Sequence, residues 1–74
     1  MKTKILTAKS PERNDRVEID LKSKWAKFYY LEEYVFTARL EKENNRGWTF
    51  GCWIFGTSKT TFFYSRGEYE EKTE

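Results

Sequence analysis

The chain has 74 residues, a formal net charge of +2, 35% charged and 19% aromatic residues, one cysteine and no histidine. That length describes one domain, 1–74, near the smallest size at which a hydrophobic core sustains itself. One cysteine excludes an intrachain disulfide, the lack of histidine removes the commonest general base and any zinc set, and no apolar run reaches the roughly 20 residues of a membrane helix.

Residues 2–8 read as a short strand built on Ile5 and Leu6, with a basic start but no long apolar run of the kind an export signal needs. A soluble, cytoplasmic protein is the expectation. Residues 9–15 form a loop in which Ser10 can cap one turn begun by Pro11. Residues 16–22 alternate Val17, Ile19 and Leu21 with Glu18, Asp20 and Lys22, the pattern of a half-buried strand.

Residues 23–33 carry two conflicting signals. Leu21, Trp25, Phe28 and Tyr29 fall on one helical stripe, with Ser23 as N-cap, whereas Phe28-Tyr29-Tyr30 prefers a strand. No Gly, Pro, Asn or Asp lies between Leu21 and Leu40, and one strand of that length is implausible. The spacing therefore predicts a short helix over 23–32.

An aromatic meander follows over 34–66. Its strands are 34–42, 48–55 and 60–66, joined by Asn44-Asn45-Arg46-Gly47 and Gly56-Thr57-Ser58-Lys59. The expected class is α+β, a small antiparallel sheet of this meander plus the N-terminal strands, with one short helix; the alternative is a small all-β barrel. The middle strand is apolar on both faces, with Trp48, Phe50, Cys52 and Ile54 on one and Trp53 and Phe55 on the other. Cys52 reads as a small buried apolar side chain rather than a reactive thiol.

Turn lengths fix register, and register fixes faces. A loop of Asn45-Arg46-Gly47 pairs Asn44 with Trp48, and a loop of Thr57-Ser58 sets Trp53 opposite Phe62. The predicted core face is then Phe36, Ala38, Leu40, Phe50, Cys52, Ile54 and Phe63. The opposite face holds Val35, Thr37, Arg39, Trp53, Phe55, Phe62, Tyr64 and Arg66, and its aromatic–arginine composition suits a partner- or dimer-binding surface.

Charge is unevenly placed. Residues 1–31 carry eight Lys/Arg against four Asp/Glu, and residues 67–74 hold four Glu and one Lys. The terminal segment reads as a frayed acidic tail, with Glu68, Glu70 and Glu71 as candidates for a basic partner site. No phosphate-binding glycine loop, metal-ligand pattern or catalytic carboxylate pair is present, so neither an enzyme nor a cofactor is expected. The leading reading is a protein-binding module or homodimer. The alternative is a small β domain that stacks single-stranded nucleic acid on its aromatics. The third is a barrel in which the aromatics are ordinary core.

Lys outnumbers Arg, Glu, Phe, Tyr and Thr are abundant, and alanine occurs three times. In size and composition the chain resembles short phage early proteins, and is similar to the small phage inhibitors of the bacterial replicative sliding clamp. The resemblance implies a non-enzymatic homodimer that binds the clamp and stops host DNA synthesis by occluding DNA or polymerase access.

Overall fold

Val17 and Ile19 alternate with polar residues, and Leu6 follows Ile5 in a short run flanked by threonines, so the two segments can each bury a face only by pairing. They form the antiparallel hairpin of β1 (Thr3–Ala8) and β2 (Asp15–Asp20), with Leu6 opposite Val17 and Lys4 opposite Ile19. Ser10 accepts the Arg13 N–H at 3.2 Å in the connecting loop, one turn around Pro11. The computed structural model describes residues 2–54, 56 and 58–74.

The meander continues through β3 (Trp25–Tyr30), β4 (Glu33–Asn44), β5 (Gly47–Ile54) and β6 (Ser58–Ser65), and β7 (Tyr69–Thr73) returns to pair with β1. Strand order across the sheet is β6-β5-β4-β3-β2-β1-β7, antiparallel throughout. Each step between strands rotates by roughly 20–25°, so six steps accumulate about 130° and curl the sheet into a half-barrel. The curl brings the end of β6 to the start of β7. The short turn Arg66–Glu68 spans the gap, and the Tyr64 and Tyr69 rings stack across it with centroids 4.5 Å apart.

The concave face is the core. Leu6, Val17, Ile19, Ala26, Ala38, Trp48 and Phe50 are sealed from solvent, and Phe36, Cys52, Phe62 and Tyr64 pack against them. Phe28 is the centre of an aromatic cluster, stacked on Phe36 at 4.6 Å and meeting Phe50, Phe62 and Tyr64 edge-on.

The expected α+β class is overturned: the described residues are all β, as the alternative reading held, and the segment expected as helix 23–32 is β3 and its flanking turns. Both turns carry signals the apolar stripe concealed. Asp20 accepts the N–H groups of Lys22 (2.9 Å) and Ser23 (3.4 Å), and its backbone carbonyl accepts that of Lys24 at 2.7 Å. Lys24, Leu31 and Glu32 then take left-handed φ values of 69°, 52° and 64° without being glycine. In β3 the supposed stripe divides, with Phe28 buried and Trp25 exposed.

The second register also differs. Ile54 pairs with Ser58 rather than Gly56 with Lys59, so Phe50 faces Phe62, Trp48 faces Tyr64 and Trp53 faces Lys59. This turns Phe62 and Tyr64 into the core and Phe63 out to solvent, the reverse of the expectation. In the first hairpin Asn44 pairs with Gly47, one residue tighter than expected, and Asn44 Oδ1 accepts the N–H groups of Arg46 (2.9 Å) and Gly47 (3.2 Å). A bulge at Glu41 restores the parity, so Leu40 faces Phe50 and Ala38 and Leu40 lie inside as predicted. The 67–74 segment, expected as a frayed tail, contains β7. The predicted core side chain of Ile54 and the predicted contact residue Phe55 lie outside the described residues.

Candidate binding surface

Because Ala26, Phe28, Ala38 and Phe50 point inward, their neighbours Trp25, Lys27, Thr37, Arg39, Gly51 and Trp53 point to the convex side. Register places Trp25, Arg39, Gly51 and Thr61 in one lateral row across four strands. Trp25 and Trp53 are two strands and two residues apart, about 12 Å at the backbone. Trp25 is 49% exposed and Trp53 65%. The Arg39 guanidinium stacks on Trp25, 5.6 Å from the ring centroid.

Gly51 supplies a floor without a side chain. A Cβ there would collide with the Glu41 carboxylate and the Lys59 stem, which pair across it. The result is an open groove of about 300 Å³ between the two indoles, with Arg39 and Glu41 along it. Trp25 also walls a second depression of about 440 Å³, which is bordered by Lys27, Glu18 and Asp20. The charge of the convex face is mixed. Lys59 is held by Glu41, Lys27 sits opposite Glu18, and Asp20 is kept below the usual carboxylate range by hydrogen bonds from the Lys22 and Ser23 backbone.

Of the expected partner-binding residues, the structure brings Arg39 and Trp53 together on this face. Phe62 and Tyr64 belong to the core. Arg66 lies at the sheet's opening, stacked 4.3 Å over the Trp48 ring and hydrogen-bonded to the Asn44 carbonyl at 2.9 Å. The acidic candidates separate as well. Glu71 pairs with Lys4 at 2.9 Å and with Arg66, Glu68 meets Arg13 at 3.3 Å, and Glu70 is exposed on β7. Trp25 and Gly51 were missed. Reading 25–30 by strand alternation, with Ala26 and Phe28 inward, would have found Trp25.

Two charged clusters fasten the curl. In one, Lys4 reaches Glu43 at 2.8 Å as well as Glu71, and Arg66 joins the same carboxylates. In the other, the Tyr69 hydroxyl donates to Asp15 at 2.7 Å while Arg13 contacts both, tying β7 to the β1–β2 loop. Burial, then the hydrogen bond to Asp15, pushes the Tyr69 phenol well above its ordinary value. Among the described residues no group of three or more His, Cys, Asp or Glu is placed to hold a metal ion, and no helix is long and apolar enough to cross a membrane.

Comparison of the chain with protein-family models, curated proteins and solved structures finds no match.

Proposed function

We propose that this protein is a non-enzymatic protein-binding module that acts through its convex sheet face, with Trp25 and Trp53 as apolar anchors and Arg39 between them. The observation that supports this reading is the pair of exposed indoles around Arg39 above a bare glycine floor. Tryptophan and arginine are enriched at the energetic centres of protein interfaces, because each covers a large area and keeps N–H groups for hydrogen bonding. The mechanism is occlusion: the module covers a surface its partner needs. The resemblance in size and composition makes the bacterial replicative sliding clamp the first partner to assay.

Nucleic-acid stacking is the weaker reading. A strand of phosphates requires a run of uncompensated cations. Here Lys59 is paired with Glu41, Lys27 faces Glu18, and Asp20 borders the same depression.

The test compares immobilised wild type with Trp53→Ala and Trp25→Ala as baits, using purified clamp, bacterial lysate and a single-stranded oligonucleotide. A protein retained by wild type and lost with both variants is the expected result. Retention by all three, or retention of no protein, would overturn the reading. Salt-sensitive retention of the oligonucleotide that depends on Trp53 would replace it with the nucleic-acid one.

A further inference from the structure

A sheet that does not close has two edges, and here the two are unlike. The β7 edge is short, five residues, and bears Glu70, Glu71 and Lys72, charges that discourage further pairing. The β6 edge is eight residues long and keeps one unbroken register with β5 from Ser58 to Ser65. It has no bulge and no proline, and Lys59 is its only charge. Among the described residues, β6 pairs with β5 alone, and no other backbone bond reaches Ser58–Tyr64. Alternate N–H and C=O groups of a strand so placed point away from the sheet and lack a protein partner. Ser58 to Thr61 are exposed, and Phe63 shows 52% of its surface to solvent.

We infer that β6 is a self-association edge, at which a second copy of this chain adds its own β6 antiparallel about a two-fold axis at Thr61. Three features favour a second copy. Antiparallel pairing about an axis through the sheet keeps concave faces on one side and convex faces on the other, so a residue must meet one of the same parity. Centring on Thr61 satisfies this: Thr60 meets the partner's Phe62 on the concave side, and Lys59 meets the partner's Phe63 on the convex side. The same register keeps the charges apart. The two Lys59 ammonium groups lie four residues from one another along the ladder, about 14 Å, beyond the Debye length of about 8 Å at physiological salt. Neither flanking side chain obstructs the incoming strand, because Lys59 leans back over Gly51 to Glu41 and the Phe63 ring leans back toward Gly47. The dimer presents two copies of the Trp25–Arg39–Trp53 surface on one side of a continuous sheet, so a partner with repeated sites would be held at both.

The test is light scattering and sedimentation equilibrium of the full chain over a micromolar to high-micromolar series. Wild type, Thr61→Lys and Trp25→Ala are compared. Thr61 is exposed, so Thr61→Lys should keep the wild-type circular dichroism while setting lysine against lysine at the axis. Its dissociation constant is expected to rise on the order of tenfold or more. Trp25→Ala, which alters the convex face away from this edge, should dimerise as wild type does. Amide exchange of wild type supplies a readout that needs no variant: the alternate, outward-pointing amides of 58–63 should slow with protein concentration. A monomer across the series, a dimer unaffected by Thr61→Lys, a dimer lost with Trp25→Ala, or amide exchange independent of concentration would each overturn the proposal. Because Trp25→Ala is expected to lose partner binding and keep the dimer, the two readings fail separately.

Discussion

Two aromatic residues show how much one register decides. Trp53 and Phe62 look alike in the sequence, and a two-residue second turn would set them face to face on the same surface. In the structure Trp53 faces solvent, while the Phe62 ring lies 5.3 Å from Phe28 and 5.9 Å from Phe50. Trp53→Ala should leave stability within about 0.5 kcal/mol, whereas Phe62→Ala should lose about 3–5 kcal/mol by opening the aromatic cluster. Denaturant unfolding of the two variants measures the contrast, and equal losses would mean that Trp53 is also core. Gly47 is a second decisive position. At φ +154° a Cβ there would strike the Tyr64 carbonyl, with the Phe63 ring 2.9 Å away. Gly47→Ala should therefore destabilise by about 1–3 kcal/mol, visible as a lower thermal midpoint.

At the scale of elements, five of the seven strands were legible, β3 and β7 were not, and the turns were legible only in part. The Ile5-Leu6 pair located β1, alternation located β2, and β-branched and aromatic runs located β4, β5 and β6. The turn before β3 rests on Asp20, which sits at the end of an alternating run and so reads as strand. The turn after it uses Leu31 and Glu32 in left-handed geometry, where Asn-Gly is the usual choice. Each non-glycine residue there costs on the order of 1 kcal/mol. Glu32 reaches Arg16 at 3.1 Å, and the Leu31 N–H donates to the Asn14 carbonyl at 3.1 Å, contacts that hold the hairpin against that cost. Replacing Leu31-Glu32 with Asn-Gly should stabilise the protein by about 1 kcal/mol net, raising the thermal midpoint by roughly 4–8 °C. A lower midpoint would mean that the Arg16 contact outweighs the strain.

For the molecule as a whole, the cluster of Lys4, Glu43, Arg66 and Glu71 ties β1, β4 and β7 together beside the turn that spans the opening. Hydrogen bonds from Lys4 first, and from Arg66 as well, hold the Glu43 and Glu71 carboxyls below their ordinary 4.5. Burial alone would lower Lys4, but its hydrogen bonds to both carboxylates outweigh this and raise it above 10.5. The carboxylates' contribution is complete above their ordinary range and is lost as pH falls through the depressed values. That of Lys4 is complete below 10.5 and is lost as pH rises through the raised value. Thermal midpoints should thus be flat near neutrality and fall on acidification below about pH 4.5. Lys4→Met should lower the neutral plateau and shrink that acid-side fall. An unchanged pH profile in Lys4→Met would show that the cluster does not hold the curl.

Local pattern settled that β1, β2 and the three segments of the aromatic meander are strands, and that apolar residues fall on both faces of the middle one. Both follow from side-chain period and residue type alone. Long-range geometry settled the rest. Phe62, Tyr64 and Phe63 exchanged sides because one register was drawn from the wrong turn, while Ala38 and Leu40 kept theirs because a bulge at Glu41 offset the tighter first turn. Trp25 joined Arg39 and Trp53 only once β3, β4 and β5 lay side by side. A turn length or a bulge shifts parity by one residue and is specified by a few hydrogen bonds, so hydrophobic alternation alone cannot carry it across strands. Whether the sheet buries one face or two depends on twist summed over seven strands, a property of their assembly.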